Sequence, residues 1–123
     1  MPTLLLFNMA PQKRAALQVI ALRCGCRMHA VPAERHGATL AGILSGEAAE
    51  TAPAEPFTGE LLVMAGLNER QLDTVLTELR RRKVHIPLKA VVTPTNAEWT
   101  AGELYNELCR ERDAIAQGRQ AHE

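Results

Sequence analysis

The sequence predicts a small α/β domain, a mostly parallel four-stranded sheet with helices on both faces. Short apolar runs of strand length alternate along the chain with longer segments in which apolar residues recur every three or four positions. Each run is apolar at consecutive positions, which is typical of strands that are covered on both sides. At 123 residues the chain has the size of one domain and can bury one core.

The N-terminal part predicts a strand, a helix and a second strand. Residues 3–7 are the first apolar run, and Asn8 and Pro11 follow it where a helix begins, because proline fits the first helical turn. Gly25 suits a left-handed helix cap, and residues 26–31 read as the second strand. The apolar stripe of the helix consists of Leu17, Ile20, Ala21 and Cys24.

The middle of the chain predicts a short helix, a strand and a longer helix. Thr39 is the expected cap of a helix that ends at Gly46, and residues 60–65 form a third apolar run. Asn68 and Gln71 have the spacing of a capping box at the start of the longer helix. The stripe of that helix consists of Leu72, Val75, Leu76 and Leu79, and the basic run 80–83 closes it.

The C-terminal part predicts the fourth strand and the last helix. Residues 86–92 form the strand, residues 93–96 form a turn rich in proline and asparagine, and Thr100 and Glu103 have capping-box spacing. We predict one domain over residues 1–123, with a flexible loop at 47–58 and a frayed tail at 117–123.

Right-handed crossovers between these elements predict the sheet order 2-1-3-4. The alternative is a ferredoxin-like α+β fold, in which helices cover one face only. That fold would need alternating polar residues in the first and third strands, at residues 3–7 and 60–65, and these runs do not alternate.

Composition excludes several classes of function. Fourteen basic residues balance fourteen acidic ones, and only two Phe, one Trp and one Tyr are present, so we expect no nucleic-acid partner. No apolar stretch approaches the roughly 18 residues of a membrane helix, so we expect no membrane partner. Three cysteines, an odd number, suit a reducing compartment and predict a cytoplasmic protein.

A longer motif lies at residues 87–96, which read Pro-Leu-Lys-Ala-Val-Val-Thr-Pro-Thr-Asn, with Trp99 shortly after. This string resembles the Pro-Leu-Lys-Ala-Val-x-Thr-Pro-Thr-Asn signature of a bacterial domain family of unknown function. The resemblance extends from the strand at 61–66 through the last helix, and more loosely to the first strand. It implies a compact α/β domain of bacterial origin and assigns no activity or catalytic residue.

The turn at residues 93–96 is the first candidate ligand site, because ligands of open α/β sheets bind at the carboxyl ends of strands. The hydroxyls of Thr93 and Thr95 and the amide of Asn96 could hold a small anion there. Asn8 also follows a strand at its carboxyl end and joins this candidate set. The alternative is that the segment is only a turn and a helix cap.

Lys89 is the second candidate, because a charge inside an apolar run is costly unless it is paired or reaches water. It could act as an anion clamp or as a nucleophile with a lowered pKa. The alternative places it at the amino end of the strand, with its ammonium group in water. At about 3.3 Å per residue, Lys89 and Thr93 would be about 13 Å apart and need not share a site.

A run of soft ligands, Cys24, Cys26, Met28 and His29, raises the question of a metal site. Its spacing differs from that of zinc knuckles, and no second ligand pair follows it. We therefore predict no metal and no cofactor, with the cysteines reduced.

The sequence predicts a non-enzymatic binding or regulatory domain that associates with itself or with another protein, with a small anion as candidate ligand. The homodimer is expected because the last helix is apolar on more than one side, at Leu104, Tyr105, Leu108 and Cys109. The alternative is a small enzyme that acts on an anionic metabolite with polar groups at the carboxyl ends of the strands. No nucleophile and base are spaced to favour an enzyme, and the question stays open at this point.

Overall fold

A computed structural model describes residues 2–32, 38–46 and 57–121, with side chains up to residue 115. Most of the predicted flexible loop, residues 47–56, lies outside this part. Within it the elements are β1 (Thr3–Phe7), α1 (Pro11–Cys24), β2 (Arg27–Ala30), α2 (Leu40–Ser45), β3 (Leu61–Ala65), α3 (Glu69–Arg81), β4 (Leu88–Val91), a 3₁₀ turn (Asn96–Glu98) and α4 (Ala101–Ala121).

The four strands form one sheet in the predicted order, β2-β1-β3-β4. β1 and β2 are parallel, and so are β3 and β4, whereas β1 and β3 run antiparallel, with Thr3 opposite Ala65 and Phe7 opposite Leu61. The prediction of a mostly parallel α/β sheet is confirmed. A wholly parallel sheet is not what forms.

The link between β2 and β3 joins strands of opposite direction. β2 is parallel to β1, and β3 is antiparallel to it. β3 therefore starts at the end of the sheet where β2 ends, and α2 lies within the link.

Helices cover both faces of the sheet, so the ferredoxin-like alternative is wrong. Successive residues of β1 contact opposite cores, with Leu4 and Leu6 on one side and Leu5 and Phe7 on the other. This explains why the strand is apolar at every position. The helices contribute Leu17, Ile20, Val75 and Leu79 to the first core and Leu40, Ile43, Ala101 and Leu104 to the second.

Local signals place the ends of several helices as predicted. Gly25 ends α1 in the left-handed conformation, with φ 69°. The hydroxyl of Thr39 accepts a hydrogen bond from the Gly42 N–H at the start of α2. Asn68 and Gln71 form a complete capping box at the start of α3.

The fourth strand is shorter than the predicted 86–92, because Pro87 has no N–H to donate to a neighbouring strand. The last helix is longer than expected, since α4 runs to Ala121 and includes residues predicted to fray. Its 21 residues span about 31 Å, so it extends well beyond the sheet. Among the described residues, no helix combines the length and the apolar composition needed to cross a lipid bilayer.

Candidate functional site

The turn after β4 is closed by its own side chains. The Thr93 N–H donates to the Asn96 Oδ1 at 2.8 Å, and the Asn96 N–H donates to the Thr93 Oγ1 at 3.1 Å. The Asn96 Nδ2 donates to the Val91 carbonyl at 3.1 Å, and the residue is buried. The Asn96 side chain thus bonds to two backbone groups, one through its oxygen and one through its nitrogen.

The next helix is capped in the same internal way. The Thr100 Oγ1 accepts from the Glu103 N–H, and the Glu103 carboxylate accepts from the Thr100 N–H, both at 3.2 Å. A carboxylate therefore already lies at the amino end of α4, where an anion would have to bind. In the turn itself Thr95 is exposed. A ligand at this turn stays a prediction. The hydrogen bonds on the turn are those of a closed turn followed by a capped helix.

Asn8 lies at the opposite end of the sheet from this turn. β1 runs antiparallel to β3 and β4, so the carboxyl end of β1 meets the amino ends of β3 and β4. The Asn8 side chain donates to the carbonyls of Phe57 at 2.7 Å and of Gly59 at 3.2 Å. The residue has φ 56° and holds the segment that leads into β3. The structure therefore does not bring Asn8 together with residues 93–96.

A charged cluster lies at this same end. The Lys13 Nζ donates to the Glu60 Oε1 at 2.5 Å and to the His85 carbonyl at 2.6 Å, and the Ala10 N–H donates to the Glu60 Oε2 at 3.0 Å. Burial by itself would raise the pKa of Glu60. The hydrogen bonds from Lys13 and Ala10 and the nearby Lys13 and His85 charges outweigh it, and the pKa is lowered. Lys13 thus connects α1 to the segments just before β3 and β4.

Lys89 is the second residue of β4, near the amino end of the strand, as the solvent-facing alternative predicted. Its Nζ donates to the Ile86 carbonyl at 3.1 Å, which leaves further donors on the ammonium group. The side chain borders two depressions, one on each side of the β4 edge.

The first depression, called here the α3 cleft, has a volume of about 310 Å³ and lies between α3 and β4. Arg80, His85 and Lys89 contribute the charged and polar groups at its border, and all three residues are exposed. Among the residues that the structure describes, no carboxylate lines the cleft. Its apolar wall consists of Leu76, Leu79, Val84 and Ile86.

The second depression, called here the α4 groove, has a volume of about 500 Å³ and lies on the other side of Lys89. Its charges are mixed, because Glu111 and Arg112 both line it. The groove follows the part of α4 that extends beyond the sheet, where Ile115 is 59% exposed. Pro87, Leu88 and Leu108 complete its lining.

The run of soft ligands from Cys24 to His29 lies at the junction of α1 and β2. Within the described residues, no group of three or more His, Cys, Asp or Glu side chains is placed to hold a metal ion. Cys24 and Cys26 are free thiols, and burial, the largest cause, raises the pKa of both. His29, the last residue of that run, is exposed on β2.

Comparison with known proteins adds one family. Residues 60–115 match the model of a family described as Domain of unknown function (DUF3783). The matched segment starts just before β3 and continues into α4, so it contains Lys89 and the turn after β4. No curated protein and no solved structure matches the chain. The family description assigns no activity, and the function has to be argued from the geometry.

Sequence reasoning missed two residues of the α3 cleft. The sequence predicts only that Arg80 closes α3 as part of the basic run 80–83, and His85 is not among the candidates. A signal existed in the spacing, because Arg80 follows Leu76 by four residues and therefore lies on the same side of the helix. His85 lies four residues before Lys89, just ahead of β4. Only the folded chain brings the two side chains to the same cleft.

Proposed function

We propose that this chain is a non-enzymatic binding domain whose ligand is a small anion with an apolar body, held in the α3 cleft. The observation that carries the proposal is the combination of Arg80, His85 and Lys89 with an apolar wall and no carboxylate. A DUF3783 match over residues 60–115 includes all three residues. A bacterial cytoplasmic setting belongs to the same proposal and is supported by the resemblance of residues 87–96.

The charged side chains of the α3 cleft favour a ligand with a negative charge. Arginine and lysine both donate charge-assisted hydrogen bonds to carboxylate and phosphate oxygens. The nearest acid of the charged cluster, Glu60, is already bonded to Lys13 and to the Ala10 N–H. Glu78 on α3 is bonded to Arg81 and Arg82, so it leaves Arg80 uncompensated.

The wall of the cleft selects an apolar body. Four aliphatic side chains line it, and two of them, Leu79 and Ile86, are almost completely buried. A volume of about 310 Å³ is at the lower end of the roughly 300–1,000 Å³ that pockets for small molecules have. Short-chain monocarboxylates and monophosphate esters fit both the wall and the charged border.

The cleft supports binding rather than catalysis. A general acid–base mechanism needs two titratable groups of matched role in one site. Arg80 offers only hydrogen-bond donors, and Lys89 donates to a backbone carbonyl instead of a carboxylate. His85 and Lys89 could each exchange a proton, but among the described lining residues no Ser, Cys, Asp or Glu stands beside either of them as a nucleophile or an orienting base.

Calorimetric titration with hexanoate and hexyl phosphate tests the proposal. We expect both anions to bind, and hexanol and hexylamine, which share the chain but not the charge, not to bind. Lys89→Met and Arg80→Met should each weaken binding by about tenfold or more, because a hydrogen bond to a charged group contributes about 1.5–3 kcal/mol. Arg70→Met, on the same helix but outside the cleft, is the matched control and should bind like the wild type.

Two results would overturn this assignment. Equal binding of hexylamine would show that charge does not select the ligand. Loss of binding in Thr95→Ala, with Lys89→Met unaffected, would return the anion to the turn after β4.

We propose that the partner of this domain is a second copy of the same chain, bound through α4. Leu104 is buried inside the chain, and Tyr105, Leu108 and Cys109 pack partly against the second core. Ile115 is left exposed beside the α4 groove, and it is the residue through which a second copy would pack.

A further inference from the structure

Cys24 and Cys26 form a pair of thiols at the junction of α1 and β2. The Cys26 thiol donates to the Cys24 carbonyl at 4.0 Å, and each thiol affects the pKa of the other. Both residues are partly exposed and pack at the border of the core under α1 and α3. The third cysteine, Cys109, lies on the other face of the sheet.

The backbone at this junction suits a bond between the two sulfurs. A disulfide requires Cα atoms about 4.4–6.8 Å apart. Residues separated by one position reach about 7 Å only when the chain is fully extended, and Gly25 is bent into the left-handed region at φ 69°. The Cys26 N–H is anchored to the Ala21 carbonyl at 2.9 Å, so the turn is held in this shape.

The surroundings of the pair are positively charged. Arg23 and Arg27 flank it in the sequence, and both are exposed. Glu78, the acid that faces Cys24, is also in contact with Arg23, Arg81 and Arg82. Cations therefore outnumber the single carboxylate, which favours approach of an anionic reagent.

From this geometry we infer that Cys24 and Cys26 are a redox-active dithiol that is oxidised to an intramolecular disulfide by anionic low-molecular-weight disulfides. The thiolate of one cysteine attacks a sulfur of the small disulfide, which forms a mixed disulfide and releases one small thiol. The second cysteine then attacks the protein sulfur of the mixed disulfide and releases the other small thiol. The protein loses two electrons and two protons, and the small disulfide gains them.

The Cys24–Cys26 pair is hydrogen-bonded to the start of α3, so oxidation of the pair should change a measurable property of that helix end. The Gln71 Nε2 donates to the Cys24 carbonyl at 3.0 Å, and the Gln71 Oε1 accepts from the Asn68 N–H in the α3 capping box. Closing a bond between the sulfurs takes the Cys26 thiol away from the Cys24 carbonyl and so changes the surroundings of the Gln71 hydrogen bond to that carbonyl. Amide hydrogen exchange at residues 68–72 should therefore speed up after oxidation.

The test is exposure of the intact, folded chain to glutathione disulfide, followed by alkylation of the remaining thiols and mass spectrometry. We expect one alkylated cysteine, Cys109, and a peptide spanning residues 24–26 that is two hydrogens lighter. In Cys26→Ser the reaction should stop at a stable mixed disulfide on Cys24. Circular dichroism of this variant confirms that it is folded.

The charge of the reagent is tested with cystamine, a cationic disulfide. Arg27→Gln should slow oxidation by glutathione disulfide severalfold and leave oxidation by cystamine unchanged or faster. The inference is overturned if all three thiols remain alkylatable, if Cys24 and Cys26 each keep a glutathionyl group, or if Cys109 alone reacts.

Discussion

Asn8 and Asn96 lie at opposite ends of the sheet, although each follows the carboxyl end of a strand. The antiparallel pairing of β1 with β3 separates them, because Phe7 lies opposite Leu61 whereas β4 continues past Met64 toward the turn. Each asparagine bonds to nearby backbone: Asn8 to carbonyls of the segment before β3, and Asn96 to groups of its own turn. The two side chains stabilise two different connections.

Replacing Asn96 by alanine should lower the free energy of unfolding by about 2 kcal/mol. The substitution removes two partly buried hydrogen bonds and leaves the Thr93 N–H and the Val91 carbonyl without the Asn96 side chain as partner. Thr95→Ala, at an exposed neighbour, should change stability by less than about 0.5 kcal/mol. Urea denaturation of both variants measures the difference, and equal stability of the two would contradict the role of Asn96.

Stability in acid should depend on Glu60. Its pKa in the folded state is lower than in the unfolded chain, so its contribution is complete above the unfolded value of about 4.3 and is lost as pH falls through the folded value. Glu60→Gln should therefore reduce stability at neutral pH and make the loss of stability below pH about 4.3 less steep. Thermal melts across the acid range compare it with Glu69→Gln, at an exposed site. If the melting temperatures of wild type and Glu60→Gln fell in parallel with pH, the ion pair would contribute nothing to stability.

Gly59 should tolerate no side chain while Tyr105 is present. A Cβ at this position would lie 2.3 Å from the Tyr105 hydroxyl oxygen, and the ring is stacked on Phe57 with centroids 4.7 Å apart. Gly59→Ala should cost about 1–3 kcal/mol through overpacking. In a Tyr105→Ala background the same change should cost clearly less, and a double-mutant cycle measures this coupling. Strictly additive effects would mean that the ring moves away freely.

Self-association should depend on Ile115 and not on other exposed apolar residues. Ile115→Asp should convert a dimer to a monomer in sedimentation equilibrium at micromolar concentration. Leu22→Asp is the matched control, because Leu22 is 76% exposed on α1, across the sheet from α4. A wild-type chain that sediments as a monomer, or a dimer that only Leu22→Asp disrupts, would contradict the role of α4.

Helix ends and strand positions were predictable because their signals are local. The Asn68–Gln71 capping box, the Thr39 cap and the left-handed Gly25 each depend on contacts within about four residues. The sequence predictions were wrong or incomplete where another residue or element alters the local structure. Pro87 shortens β4, and the run 80–83 ends α3 but also supplies Arg80 to the cleft.

The candidate site could be predicted only in part. Lys89 was recognised because a charge in an apolar run needs an explanation, and its place near the amino end of β4 followed from strand geometry. Arg80 and His85 join it from α3 and from the connection to β4, and no sequence spacing relates a helix face to a strand edge. The thiol pair was visible as a motif, but the contact between its side chains depends on the turn at Gly25.

The sequence by itself determined the identity and order of the elements, the two-sided burial of β1 and β3 and most helix caps, because periodicity and capping act within a few residues. Only the tertiary structure decided the direction of β3 relative to β1. That choice depends on the pairing of β3 with β1 and on packing against two cores at once, and neither is encoded in neighbouring residues. The direction of this single strand separates Asn8 from Asn96 and brings Asn8, Lys13, Glu60 and His85 to one end of the sheet.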